Sequence, residues 1–432
     1  MISDIKYLTE RFEQLQKGKV DGRLNAIRQE AFRTFNKLGV PTSRNEEWKY
    51  TRIGGLFNKE FKFQLDESDP ELDFFHLPGH EQANELVFIN GRYSPEHSIV
   101  RSSSLVILAL EDAAKNEYAT IVNRYFGHSG NYLKDGINAL NTAFVEAGAF
   151  IQVKDRRIAE HPIYIYNIAD AREEQVFAQP RSLIHVGDHA QVQIVEVFST
   201  IGPLESFTNQ VMEIVAEAGS NVEFYKIQND AANASQVSTT HIRQVGKSYT
   251  HAVTISLNGG IVRNNTNVIL EADHSEAHLY GLYYQKGNSH IDNHTIVDNV
   301  RPDCFSNELY KGMLDDNSTG VFNGKIFVRQ PAQKTNAYQS NKNILLSENA
   351  SVNTKPQLEI FADDVKCSHG CTVGRLDVEG LFYLQSRGIP EKIAKSMLLH
   401  GFTSDVLEKI KCQPIRAYVD HLISERLEFD KI

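Results

Sequence analysis

From Ala149 to about Leu376, almost every apolar cluster is short, β-branched or aromatic, and bounded by Gly, Asn, Asp or Ser. Phe150–Val153, Ile163–Tyr166, Ser182–Val186, Val192–Val195 and Val268–Leu270 are examples. The pattern predicts more than fifteen short strands with no helical spacer between them. A chain with that many consecutive strands has two main ways to bury its apolar faces: a β-sandwich, or a β-solenoid of stacked coils.

A weak repeat separates the two. Small residues recur at turns followed by alternation: Ala190, Ser220, Ser275 with Ala277, and Ala350, with Ser318 a poorer match. Ala190 to Ser220 is 30 residues and Ser318 to Ala350 is 32, while the remaining gaps are 55 and 43. A period near 30 with insertions favours the solenoid, because one coil cannot bury its own face and must stack on another.

The flanks read as helix. Ile2, Ile5, Leu8, Phe12 and Leu15, then Leu24, Ile27, Ala31, Phe35 and Leu38, recur at spacings of three and four, and Gly39 and Pro41 end the second run. Residues 57–99 look irregular, punctuated by Pro70, Pro78 and Pro95, and helices are expected near Leu110–Phe126 and Leu133–Glu146. The lone Trp48 beside Tyr50 reads as a packing anchor. After the strands, four helical segments are expected: Leu381 to Gly388, a second from Pro390 stopped by Gly401, a third over Ser404–Lys411 and a fourth after Pro414. They would cap the solenoid end or form a docking module whose contact is the Ile389-Pro390…Gly401-Phe402 hairpin. The expected division is an N-terminal helical and mixed region over 1–148, a mostly-β core over 149–378 and a C-terminal helical domain over 379–432.

Composition narrows the function. A net charge of −10 over 432 residues argues against non-specific nucleic-acid binding and against docking on an anionic membrane. The charged start and four widely spaced cysteines point to a cytoplasmic chain without a disulfide framework. The longest apolar run, Leu105–Leu110, is too short to span a bilayer.

The densest chemistry lies in Val365-Lys-Cys367-Ser-His369-Gly-Cys371-Thr-Val373. In a strand, Val365, Cys367, His369, Cys371 and Val373 share one face, which is apolar and sulfur-rich with an imidazole at its centre. Two thiols around an imidazole suit zinc, copper(I) or iron–sulfur chemistry. Cys367 and Cys371 would stand ~13 Å apart at Cα, too far to share one ion on a flat strand. One thiol plus His369 would therefore need ligands from elsewhere; the bland alternative is that all three are interior packing. Other signals are decoys. Gly246-Lys247-Ser248 has His241 where a phosphate-binding loop needs its leading glycine. His274 with His278, and His290 with His294, lack a placed glutamate base and read as a solvated solenoid face.

Pro41–Thr51, Asn138–Phe144, Gln339–Leu346, Pro356–Gly370, and Tyr383–Pro390 through Gly401-Phe402 resemble the SufB/SufD family of iron–sulfur cluster assembly scaffold subunits. The resemblance covers nearly the whole chain, and Gly370, where SufB usually has glutamate, places it on the SufD side. It implies a right-handed parallel β-helix core flanked by helical ends, a β-helix that pairs with SufB, and C-terminal helices that bind the ATPase SufC around Ile389, Pro390, Met397, Gly401 and Phe402. It implies that His369 faces a SufB cysteine across the seam and, with Cys367, helps hold a nascent Fe–S cluster. No cofactor would be tightly bound by this chain alone. Cys371 departs from the family, and it and Cys304 receive no role. The chain would perform no turnover itself. The rivals are a stand-alone β-helix enzyme acting on polysaccharide and a homodimeric binding module in which two copies of the 365–373 strand pair.

Overall fold

The computed structural model describes residues 6–17, 22–59, 61–63 and 72–427. Ile2, Ile5 and Pro70, assigned roles above, lie outside them. Strands make up 43% of the chain and form a parallel β-solenoid of about eight turns. Two sheets face each other. The second runs in unbroken parallel order from Ile163–Asp170 through every alternate strand to Lys366–Gly374, and the first ends at Ser351–Ile360.

Register pairs Asn221 with Tyr249, Glu276 with Phe305 and Phe305 with Asn336, so successive coils are offset by 28, 29 and 31 residues. The two odd gaps in the repeat now have a cause. Ser220 to Ser275 skips a coil, and the skipped turn is the decoy Gly246-Lys247-Ser248. Ser318 opens a strand of the first sheet, whereas Ser275 opens one of the second. In the second-sheet turns a left-handed residue (His189, Gly219, His274, Asp303, Lys334) precedes a buried small one (Ala190, Ser220, Ser275, Cys304, Thr335). Cys304 is thus a turn filler, and burial pushes its thiol up to about 11.

The stack is asymmetric. At the N-terminal end Arg92–Ile99 and Leu105–Ala109 run antiparallel to their neighbours and close it. Residues 84–99 are therefore strands, not the irregular stretch expected. At the other end, Ser351–Ile360 and Lys366–Gly374 each pair on one side only.

Eight helices are present among the described residues: α1 Lys6–Gln16, α2 Arg23–Leu38, α3 Leu110–Ala113, α4 Ala119–Tyr125, α5 Gly136–Ala143, α6 Val378–Ser386, α7 Glu391–Leu407 and α8 Gln413–Arg426. The expected helix over Leu110–Phe126 is split into α3 and α4. Helices α1, α2 and α5 cover the outer face of the first sheet, burying Phe12, Phe32, Phe35 and Phe144 in one cluster with Phe177 and Phe207. Trp48 is the anchor expected of it: its Nε1 donates to Asp135 Oδ2 at 3.2 Å and the Arg263 guanidinium lies 3.8 Å from its ring centroid. His290 and His294 sit under this layer, against Thr51 and Asp292, and so do not line a solvated face.

Helices α7 and α8 lie along the outer face of the second sheet, with Leu399, Val406, Leu407, Ile415, Val419 and Ile423 packed on Tyr225, Ile255, Tyr280 and Tyr284. They do not cap the solenoid end. Nor does Gly401 stop a helix: α7 runs through it, at a cost of about 1 kcal/mol relative to alanine. Packing on both sides carries the helix across, because Thr403 is buried and Lys311 Nζ donates to Phe402 O at 2.9 Å. No described helix is long and apolar enough to cross a membrane.

Arg263 is bound to Asp292 at 2.8 Å with both side chains buried. Replacing it by alanine strands a buried carboxylate, so Arg263→Ala should lower the unfolding free energy by about 3–5 kcal/mol in urea titrations. A loss below about 1 kcal/mol would mean that His294 and Thr51 satisfy Asp292 unaided.

Candidate functional site: the open last coil

The terminal strand Lys366–Gly374 pairs with Asn336–Leu345, placing Cys367 on Ala337, His369 on Gln339 and Cys371 on Asn341. Ala337, Gln339 and Asn341 are buried, and Val365 and Cys367 pack against the central core. The odd-numbered face of the terminal strand is therefore the interior face of the solenoid. His369, Cys371 and Val373 are nevertheless exposed, because no further coil covers them. The two readings of this face, interior packing and interface, converge: it is an interior face without a successor.

Burial raises the Cys367 thiol above its ordinary value, partly offset by the Ala337 backbone N–H. Cys367 is thus a protonated, half-buried thiol in the free chain and would ionise on binding metal. His369 stands on the exposed side of it, one alternate position along, ~6.7 Å away at Cα.

Beneath the strand is a hydrogen-bonded amide layer. Asn341 Nδ2 donates to Tyr283 Oη at 3.2 Å, and Asn343 Nδ2 donates to Asn341 Oδ1 at 2.7 Å and to Thr372 O at 3.4 Å. Gln339 Nε2 donates to Glu308 Oε2. Glu308 is fully enclosed with Gln339 and Thr295 as polar neighbours, and burial pushes its carboxyl up to about 7. His369 thus sits over a buried acid, separated from it by one glutamine. Periodicity could not have found Glu308. It reads as one more polar residue on a strand, and only stacking makes it interior.

The polar column continues inward. Lys226 Nζ lies 3.6 Å from Glu196 Oε2 and donates to Ser238 Oγ and Thr240 Oγ1 at 2.8 and 2.9 Å. Gln228, Asn264 and Asn293 link amide to amide between them.

The expected C-terminal contact residues are spread along one helix and the turn before it. Pro390, Met397 and Gly401 are exposed, whereas Ile389 and Phe402 are half-buried and Phe402 packs on the solenoid. There is no Ile389–Phe402 hairpin. The exposed apolar surface lies mainly on α6, which buries no residue and leaves Val378 73% and Phe382 72% exposed beside Tyr383. The open coil is likewise rimmed by exposed Tyr338, Ile360, Phe361 and Val373. The helix expected from Leu381 to Gly388 is α6, beginning three residues earlier, but its Val378-Phe382-Tyr383 surface was not among the expected contacts.

Comparison with known proteins gives the following. Residues 4–165 match the family described as SufBD protein N-terminal region, and residues 167–402 match SUF system FeS cluster assembly, SufBD core domain. The chain is similar to an iron–sulfur cluster assembly SufBD family protein of Synechocystis sp., 30% identical over 95% of this chain and 92% of that one. It is similar to the iron–sulfur cluster assembly protein SufD of Escherichia coli, 30% identical with 90% of each chain covered. The SufD of Bacillus subtilis is 24% identical over 81% of this chain and 80% of its own.

Glu308 makes a pH prediction. Its folded pKa lies above the unfolded value, so the folded state holds the extra proton between about 4.5 and 7. Stability from this group is full below the lower limit and is lost as pH rises through about 7. The loss is on the order of 3 kcal/mol. Glu308→Gln should remove this component: the difference in unfolding free energy between variant and wild type should grow in the variant's favour from pH 5 to pH 8. A difference that stays constant with pH would show that the carboxyl titrates normally.

Proposed function

The chain belongs to the SufBD family of iron–sulfur cluster assembly proteins, as a SufD homologue, and on that premise we propose that it is a non-catalytic scaffold subunit acting in the cytoplasm. Its open last coil pairs with the β-helix of SufB, and its C-terminal helices bind the ATPase SufC. The units 1–148, 149–378 and 379–432 act as first-sheet cover, scaffold and docking module. The nascent cluster is cargo, assembled at the seam. His369 is its ligand from this chain, Cys367 a second donor, and a thiolate of SufB completes the set.

The observation that carries this reading is the exposure of an interior face. A solenoid end whose inward column is amide, thiol and imidazole, with no capping element among the described residues, is suited to completion by another coil rather than by water. Neither thiol of the terminal strand can share one ion with the other, which is the geometry expected of a ligand set divided between two chains.

Coupling to the ATPase has a physical route. Lys311 Nζ, on the strand Phe305–Leu314, binds Phe402 O and Asp405 Oδ2 of α7. Three residues before it on the same strand, Glu308 holds Gln339 under His369. A displacement of α7 on SufC dimerisation is thereby passed to the coil beneath the seam through two hydrogen-bonded contacts.

His369→Ala, co-expressed with SufB and SufC, should leave the complex assembled and reduce reconstituted cluster absorbance at least about tenfold. Wild-type cluster yield would discard His369 as ligand. Phe382→Asp should abolish co-purification of SufC while leaving the thermal midpoint within about 2 °C, since α6 buries nothing in the free chain. Retained SufC would move the docking surface off α6.

A further inference from the structure

A second cluster of metal-binding side chains lies at the closed end of the solenoid. Leu77 is buried and its N–H donates to Tyr166 Oη at 3.1 Å. Gly79 takes a left-handed φ of 82°, and the short turn His80–Gln82 follows. The chain is folded back so that His76 and His80 flank one carboxylate, that of Glu85 on the strand Asn84–Ile89. His76 Nδ1 lies 2.7 Å from Glu85 Oε2, and His80 Nδ1 lies 3.6 Å from Glu85 Oε1. One donor atom from each of the three residues lies within 4.8 Å of the other two.

We propose that His76, His80 and Glu85 bind one divalent transition-metal ion of the zinc class. Two imidazoles and a carboxylate are a borderline donor set that suits zinc, cobalt(II) or ferrous iron and disfavours calcium and magnesium, which take oxygen ligands. With bonds of about 2.0–2.2 Å, tetrahedral donors stand about 3.3 Å apart. The imidazole-to-carboxylate separations, 2.7 and 3.6 Å to the two Glu85 oxygens, stand on either side of that value, and small rotations of rings and carboxylate would bring the three donors onto one ion.

The surroundings match a ligand site with an open position. The Glu85 side chain is 2% exposed, while His76 and His80 are 38% and 32% exposed, so the carboxylate forms the floor and the imidazoles the mouth. Arg101 Nη1 donates to Ala83 O at 2.5 Å and approaches Glu85 Oε1 only to 3.8 Å. Each Glu85 oxygen thus has an imidazole as its nearer neighbour. Glu81 Oε1, 3.3 Å from His80 Nε2, is a solvent-facing acidic neighbour.

The site is separate from the cluster seam. Eight strand-to-strand steps of the second sheet separate Asn84–Ile89 from Lys366–Gly374, about 38 Å at ~4.8 Å per step. Its role is positional. The same loop carries Phe75, stacked on Tyr418 of α8 at 5.6 Å, and Gly79, where a Cβ would come within 3.2 Å of the Pro414 ring. An ion bridging the loop to the Asn84–Ile89 strand would fix the seat of α8 and, through it, the C-terminal helices.

The test uses the full chain carrying Cys367→Ser and His369→Ala, which removes the seam ligands, after treatment with a chelator. Cobalt(II) titration should give ligand-field absorption saturating at one equivalent and displaced by zinc, and zinc should raise the thermal midpoint. Adding His80→Ala should abolish the absorption, and Glu85→Gln should weaken binding at least about tenfold. Circular dichroism of each variant confirms that it is folded, and His76→Ala serves if His80→Ala is not. Absence of the bands in the parent, or bands undiminished in a folded His80→Ala or His76→Ala variant, would overturn the site. Cluster formation in the wild-type complex is not part of the readout, so the assignment stands or falls apart from the scaffold reading.

Discussion

Everything in this molecule depends on in-register parallel stacking. Each coil has a sheet-forming strand on either side, and its backbone N–H and C=O groups are satisfied only by the coil before and the coil after. Side chains obey the same rule: each inward residue rests on its counterpart one coil away. Such a column has no natural end. At the N-terminal end antiparallel strands supply one, and at the other end nothing within the described chain does. The exposed interior face of the last coil follows from that asymmetry.

The interior also holds many buried polar side chains. Lys226 with Glu196, then Gln228, Asn264 and Asn293, then Glu308, Gln339, Asn341 and Asn343 occupy inward positions. An apolar lumen would give more hydrophobic stabilisation. Amide ladders give register instead, because a slip of one residue breaks every side-chain hydrogen bond at once. Register rather than added stability fixes the height of His369 above the last amide layer.

Much of this was legible in the sequence, and the misses have physical reasons. The strand-rich core, the turn-filling small residues and the anchoring role of Trp48 follow from local patterns, and local patterns survive folding. The Cys367–Val373 alternation gave the shared face of the site, but not its direction, because period two does not distinguish lumen from exterior. Gly401 was misread because tertiary packing overrides helix propensity, with Phe402 held on Lys311 carrying α7 across a glycine, and the Leu110–Phe126 run because Asn116 accepts from the Tyr118 N–H and turns the chain between α3 and α4. Glu308 could not be read at all, since its environment comes from strands 13 residues before it and 31 after it. The same applies to His76, His80 and Glu85. Their spacing matches no regular element, and a left-handed glycine brings them together.

The two free strands of the last coil differ in their proline content. Ser351–Ile360 contains Pro356, set against Gly324, whereas Lys366–Gly374 contains no proline. A proline has no N–H to give, so main-chain propagation is interrupted on one half of the terminal rung and left competent on the other. Growth from this end is therefore biased toward a junction one sheet wide. Such a junction can join two subunits but is poorly suited to nucleating a fibre, and that protects a chain whose exposed rung would otherwise template copies of itself.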